Sequence, residues 1–210
     1  MVDVAVVDYG MGNLRSVEQA LRKVAPGLEI AVSDDPDMII NAKRVVFPGQ
    51  GAMPECMREL DARGLRVAVL DAARRKPFFG ICIGMQMLFE HSDEGNVAGL
   101  GMMRGKVVRF PGNMRDAQNN KLKVPHMGWN QVRHVQHPLW EGIAQDARFY
   151  FVHSFYVQTQ DASLVQATSK YPESFVCAAA RDNMFTVQFH PEKSSTAGLK
   201  LLQNFVQWNP

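Results

Sequence analysis

Val4 to Val7 is an unbroken apolar run, and after a glycine-containing turn Leu14, Val17, Leu21 and Val24 return at three- and four-residue spacing. The run suits a strand buried on both faces, and the spacing suits an amphipathic helix for which Asn13 stands as the cap. The alternation repeats. Val45-Val46-Phe47 predicts a second strand, Met53 to Arg75 predicts helix interrupted at Gly64, and Phe78 to Ile81 predicts another strand. Beyond it Met85, Leu88 and Phe89 predict a further amphipathic helix. Units of this kind build a parallel sheet flanked by helices on both faces, an α/β arrangement of flavodoxin-like type. After about Gly99 the pattern changes. Arg104–Phe110, Asn130–Val135, Phe149–Val152, Leu164–Thr168, Phe175–Ala180 and Phe185–Phe189 are short strand candidates with little helix between them, so a mixed or antiparallel region is added to the parallel core. Leu199, Leu202, Phe205 and Val206 then share one face of a closing helix, with Ser194 or Ser195 as its cap.

A length of 210 residues and 46% hydrophobic content predict one domain, residues 1–210, with a core large enough to fold without staples. The cysteines Cys56, Cys82 and Cys177 are odd in number and widely spaced, which argues against a disulfide framework or zinc knuckle and for a reducing, cytoplasmic setting. The N-terminal apolar run carries Asp3 and Asp8 and no basic leader, and no apolar run approaches the roughly 20 residues of a membrane span. A net charge of +2 leaves no field that implies nucleic acid or an anionic membrane as a partner. Arg74-Arg75-Lys76 reads as a solvated helix end. His134, His137 and His153 have no metal-ligand spacing and read as structural, as Cys56 and Cys177 do. Neither a metal nor a cofactor is expected.

The chemistry concentrates in Gly80-Ile81-Cys82-Ile83-Gly84-Met85-Gln86, which sets a cysteine on the turn from a strand to a helix. Helix N–H groups there favour a thiolate, and the flanking glycines permit a strained turn and close approach of a substrate. A lone cysteine beside apolar residues is ordinarily core, but the glycine bracket and the strand-to-helix switch favour a nucleophile. His190-Pro191-Glu192 follows the strand candidate Phe185–Phe189, so parallel strands would bring His190 to the edge where Cys82 emerges, with Glu192 orienting it as in a nucleophile–base–acid triad. Pro48-Gly49-Gln50-Gly51 ends a third strand at the same edge and exposes backbone N–H groups suited to an oxyanion. Gly10 and Gly12 do not form a dinucleotide fingerprint, because Arg15 stands where the third glycine is needed.

Together the Gly-x-Cys-x-Gly-x-Gln elbow, the His-x-Glu pair and the Pro-Gly-x-Gly loop resemble the class I, triad-type glutamine amidotransferases over nearly the whole chain. Asp8-Tyr9-Gly10-Met11-Gly12-Asn13, Pro125-His126-Met127-Gly128-Trp129-Asn130, Phe151-Val152-His153-Ser154 and Phe189-His190-Pro191-Glu192-Lys193-Ser194 narrow the resemblance to glutaminase subunits of imidazole glycerol phosphate synthase. That resemblance implies L-glutamine as substrate, Cys82 as nucleophile, His190 as proton shuttle and Glu192 as its holder. It places Gly51 and Ile83 as oxyanion donors beside Gly49 and Gln50, Glu94 opposite the substrate ammonium, and Ser154 and Phe155 at its carboxylate. Gln86, one helical turn beyond Cys82, would turn its carboxamide to the substrate. At Gln50 relatives commonly have valine, a change that a backbone donor tolerates. The resemblance further implies a heterodimer with a (β/α)8 barrel synthase subunit that receives ammonia, with Asn13, Met127, Trp129, Tyr150 and Lys193 at the interface. On burial habits alone Met127 and Trp129 divide evenly between docking patch and core. Competing readings are a glutaminase serving another synthase, a cysteine hydrolase acting alone, and a binding module with a relic site.

Overall fold

The computed structural model describes all 210 residues. In chain order the elements are β1 (Val4–Val7), α1 (Leu14–Val24), β2 (Ile30–Ser33), α2 (Pro36–Asn41), β3 (Arg44–Phe47), α3 (Met53–Ala62), α4 (Arg66–Arg75), β4 (Phe78–Ile81) and α5 (Ile83–Met87). There follow β5 (Phe89–Ser92), β6 (Val97–Ala98), β7 (Met103–Arg109), β8 (His126–His134), β9 (Ala147–His153), β10 (Phe155–Gln158), β11 (Val165–Lys170), β12 (Ser174–Arg181), β13 (Met184–Val187) and α6 (Ser195–Gln207).

The apolar runs form strands because both of their faces are covered. Val4, Val6, Val46, Phe79 and Ile81 turn to a core shared with Val17, Leu21, Leu201, Leu202 and Phe205 of α1 and α6. Val7, Val45, Phe47 and Phe78 turn the other way, to Ile39 of α2, Leu60 of α3, Val69 of α4 and Leu65 in the turn between α3 and α4. Period-two side-chain alternation within a wholly apolar segment is what a sheet covered on both sides requires. The strands β2-β1-β3-β4-β13 lie side by side and parallel, and β12, β10 and β7 continue the sheet in that order, each antiparallel to the strand before it. β11 pairs with β12 and β8, and β8 pairs with β9 over seven residues, which carries the sheet round to the side of the site. The doubly flanked parallel sheet with a mixed extension agrees with the sequence reading.

Several local expectations are corrected. The helix after Cys82 is not a long amphipathic one: α5 has five residues, all buried, and the chain returns as β5 at Phe89. Leu88 and Phe89 satisfied a helical period only because they are buried from every side, where periodicity carries no information. β8 begins at His126, four residues before the predicted start, so the PHMGWN segment is strand. Its exposed Met127 and Trp129 alternate with the inward His126 and Asn130. β2, β5, β6, β10 and α2 have no counterpart in the hydrophobic pattern read from the sequence. α2 does carry a readable signal, with Asp35 capping Asp37 N–H and Pro36 in the first turn. Ser194 stands at the N-terminus of α6 but makes no cap bond; its Oγ donates to the His190 carbonyl at 2.6 Å and accepts from Tyr150 N–H at 2.9 Å, tying the turn after β13 to β9.

Candidate active site

The carboxyl ends of β1, β3, β4 and β13 converge, as ligand sites in open α/β sheets require. Cys82 follows β4 directly. Its N–H donates to the Val187 carbonyl at 2.8 Å, extending the β4–β13 ladder by one bond, and its backbone then turns to φ 56°, ψ −112°. That conformation is strained for a residue with a Cβ, at a cost of roughly 1–3 kcal/mol. It is held because the neighbouring glycines admit close packing: a Cβ on Gly80 would lie 2.9 Å from Thr186 Cγ2, and one on Gly84 would lie 1.9 Å from the Phe47 carbonyl oxygen. The elbow locks Cys82 over a cavity of about 440 Å³ lined by Gln50, Gly51, Ile83, Gln86, Glu94, Ser154, Phe155, His190 and Lys193, among others.

His190 enters from the turn after β13, with its N–H bonded to the Tyr150 carbonyl at 2.9 Å. Its Nδ1 lies 2.8 Å from Glu192 Oε1, and both side chains are almost wholly buried. A carboxylate accepts only, so Nδ1 carries a proton toward Glu192, and Nε2 is the nitrogen left to exchange a proton at the cavity. Burial by itself would lower the imidazolium, but the charges of Cys82 and Glu192 outweigh it and raise His190 well above the ordinary histidine value. His190 Nε2, Glu192 Oε2 and Gln86 Oε1 are buried without a protein hydrogen-bond partner, so unmet hydrogen-bonding capacity gathers around His190 and Gln86.

Half of the Gln86 carboxamide is committed. Its Nε2 donates to the Phe155 carbonyl at 3.2 Å and to Gln188 Oε1 at 2.9 Å, while Oε1 is enclosed without a partner. Glu94 is similarly divided. One oxygen accepts the Met53 N–H at 2.8 Å and caps α3, where Ala52 has no side chain able to do so, and the other is left for the cavity. Gly49 lies outside that cavity. A Cβ there would lie 1.7 Å from the Tyr9 hydroxyl and 2.4 Å from Ile83 Cγ2, so its part is to let the 48–51 loop pass between them, while Gln50 and Gly51 reach the cavity.

Among the residues expected at an interface, Tyr150 and Lys193 line the cavity, and Asn13 caps α1 and shares a small cleft with His190 and Glu192. Met127 and Trp129 are 63% and 49% exposed, which decides against the core reading. Trp129 lies opposite Tyr150 in the β8–β9 ladder, their rings edge to face at 6.1 Å. These five residues therefore border the site. Cys56 and Cys177 are fully buried, and all three cysteines are free thiols. No group of three or more His, Cys, Asp or Glu side chains is arranged to hold a metal ion, and no helix is long and apolar enough to cross a membrane.

His153, read from sequence as structural, and His126 of the PHMGWN segment form part of the support. His126 Nδ1 lies 2.9 Å from His153 Nε2, and His153 Nδ1 lies 2.7 Å from the Phe155 carbonyl. The carbonyl can only accept, so both rings are neutral with the proton on Nδ1, and His126 Nε2 accepts from Asn130 Nδ2 at 3.3 Å. Burial holds His126 down to about 4 and His153 to about 3. An unfolded chain binds protons at these rings near pH 6.5 and the folded one does not, so stability is lost as pH falls from about 6.5 toward 4. We expect the melting temperature to drop over that interval, and to drop less in His126→Gln, which keeps a neutral donor and acceptor. Equal acid sensitivity in thermal scans of the two proteins would refute the assignment. The other residue the sequence did not disclose is Gln188, wholly buried beside Cys82, whose apolar context gave no signal of polarity at the site.

The model of the class-I glutamine amidotransferases matches residues 5–208. Among curated proteins, the chain is 63% identical to the imidazole glycerol phosphate synthase subunit HisH of Nitrosospira multiformis and 62% identical to that of Aromatoleum aromaticum, in both cases over the whole of both chains. Among solved structures it resembles a glutamine amidotransferase at TM-score 0.73 and 17% identity, covering 98% of this chain and 97% of that one. It also resembles the structure of PurLQS from Thermotoga maritima, at TM-score 0.70 and 18% identity, over 99% of both chains. At such identities the structures speak for the fold alone. The model match over almost the entire chain and the full-length identities above 60% decide the family: this chain belongs to the class-I glutamine amidotransferases, among the relatives of imidazole glycerol phosphate synthase subunit HisH.

Proposed function

We propose that the chain hydrolyses L-glutamine to glutamate and ammonia through a thioester on Cys82, as the glutaminase subunit of imidazole glycerol phosphate synthase in histidine biosynthesis. The observation that carries this reading is the strained cysteine facing a buried His190–Glu192 pair whose free Nε2 is turned to the same cavity. The Cys82 thiolate attacks the side-chain carbonyl carbon of glutamine, and the backbone N–H groups of Gly51 and Ile83 receive the oxyanion. His190 delivers its Nε2 proton to the departing nitrogen, and ammonia leaves the acyl-enzyme. A water molecule, deprotonated by the same Nε2, then cleaves the thioester to glutamate and restores the thiol–imidazole pair. Glu192 holds the tautomer throughout. The free oxygen of Gln86 accepts from a substrate N–H, the free oxygen of Glu94 faces the α-ammonium, and the Ser154–Phe155 backbone meets the carboxylate.

Ammonia is useful only if it reaches an acceptor before it is protonated. The exposed Met127 and Trp129, continuous with Tyr150 and Lys193 at the cavity, suit docking of a (β/α)8 barrel synthase subunit that uses the ammonia to make imidazole glycerol phosphate and an aminoimidazole carboxamide ribonucleotide. Three free, buried thiols fit a reducing cytoplasm. The test is ammonia release from glutamine by the chain alone and with the barrel subunit carrying its nucleotide ligand. Turnover should be weak alone and strongly raised in the complex. Trp129→Ala should weaken assembly by about 2 kcal/mol, roughly thirtyfold in Kd, without lowering the stability of the free chain. Full turnover by the chain alone, or hydrolysis of peptides in preference to glutamine, would overturn the proposal.

A further inference from the structure

Gln188 is wholly buried two residues before His190, and its Nε2 lies 3.8 Å from Cys82 Sγ, within hydrogen-bonding range of sulfur. The direction of that contact is fixed by groups that cannot turn over. The Phe155 backbone carbonyl only accepts, and it receives Gln86 Nε2, so the Gln86 amide must keep its NH2 on that side. The same NH2 meets Gln188 at 2.9 Å. Reversing Gln188 would set two NH2 groups against each other and turn a carbonyl oxygen onto the sulfur. His153 Nδ1–H bonds the same Phe155 carbonyl, and a continuous run of bonds reaches back through His126 and Asn130 to the Lys170 carbonyl. Backbone acceptors at Phe155 and Lys170 thus set every amide and ring in the series, and at its end an N–H is aimed at Cys82.

A donor in this position has a definite use. α5 is only five residues long and contributes a small dipole at its N-terminus, and His190 gives up its proton during the reaction. We propose that Gln188 is a further catalytic residue: its Nε2–H donates to the Cys82 thiolate, stabilising the anion and aiming the sulfur, with Gln86 holding the amide in the donating orientation. No atom is transferred, since the N–H stays on Gln188 while the S–C bond forms. The inference rests on Cys82 being the nucleophile.

The other titratable groups that face Cys82 are His190 with Glu192 behind it, Tyr9 and Cys56, which lie close enough to feel its charge, and Glu94, His153 and Lys193 across the cavity. None of them is altered by Gln188→Met. The experiment is the pH dependence of iodoacetamide alkylation of the full chain, in which Cys56 and Cys177 are shielded by complete burial. In Gln188→Met the alkylation profile should move upward by about one pH unit, a tenfold loss of reactive thiolate on the acid limb. Ammonia release by the complex should fall at least tenfold in kcat with little change in KM. Should that variant fail to fold, side-chain amide NMR of the unsubstituted chain gives the same decision: the Gln188 NH2 resonance must follow the ionisation of Cys82 and stop doing so in Cys82→Ala. An unmoved alkylation profile in folded Gln188→Met, or an amide resonance indifferent to Cys82, overturns the assignment. Cys82→Ala that still released ammonia would instead overturn the nucleophile itself, so the two failures are distinguishable.

Discussion

Cys82→Ala should abolish ammonia release from glutamine, by on the order of 10⁴-fold or more, because Cys82 is the one thiol that lines the cavity. Cys56 is fully buried on α3, with its thiol bonded to the Gln50 carbonyl, and burial pushes it up to about 11; Cys177 is enclosed in the core. Neither can substitute. His190→Ala should lose a comparable factor, and the double variant should be little worse than either single one, since a nucleophile without its base and a base without its nucleophile fail at the same step. Assembly should survive, because Cys82 is only 8% exposed while the docking we propose uses the exposed Met127 and Trp129 on β8. Steady-state release of ammonia and the Kd for the barrel subunit, measured on the same three variants, check both halves. Unchanged release from Cys82→Ala would dispose of the thioester route, and multiplicative losses in the double variant would dispose of the pair as a unit.

Gly84→Ala should be the most damaging single methyl group in the site. The added Cβ would lie 1.9 Å from the carbonyl oxygen and 3.0 Å from the carbonyl carbon of Phe47, and strand backbone in the middle of a sheet cannot rotate aside as a side chain can. Relief requires α5 to move off β3, which carries Ile83 and Cys82 with it. We expect a loss of about 2–3 kcal/mol, seen as a fall of roughly 5–10 °C in melting temperature, and at least a tenfold loss of glutamine turnover in whatever remains folded. Gly27→Ala is the control, since a Cβ there meets nothing within 4 Å. Equal melting temperatures for the two variants would show that the close approach of α5 to β3 is not what holds the elbow.

The fold was legible where local sequence and tertiary demand agree. Val4–Val7, Val45–Phe47 and Phe78–Ile81 are apolar without interruption because both faces of a parallel sheet are covered, and Leu14–Val24 is periodic because a single face is. The same reasoning misread Ile83–Phe89, since a segment buried all round satisfies a helical period and a strand equally well. It also missed β10, whose Phe155–Gln158 owes its pairing to β7 and β12 rather than to any pattern of its own.

At the site, the sequence by itself determined the chemical types: a cysteine between glycines at a strand end, a histidine two residues from a glutamate, and a glycine-rich loop ending a third strand. These are local requirements of backbone conformation and charge, so they are written in neighbouring residues. Only the tertiary structure decided which groups are free to react. It left Nε2 of His190 unpaired, committed half of Gln86 and of Glu94 to other partners, kept Gly49 out of the cavity, set Met127 and Trp129 on the surface, and brought Gln188 to the sulfur. Hydrogen-bond polarity is the reason. Whether a buried amide donates or accepts depends on partners as far along the chain as Gln86 and Gln188, 102 residues apart, and nothing in the local sequence of either records the other.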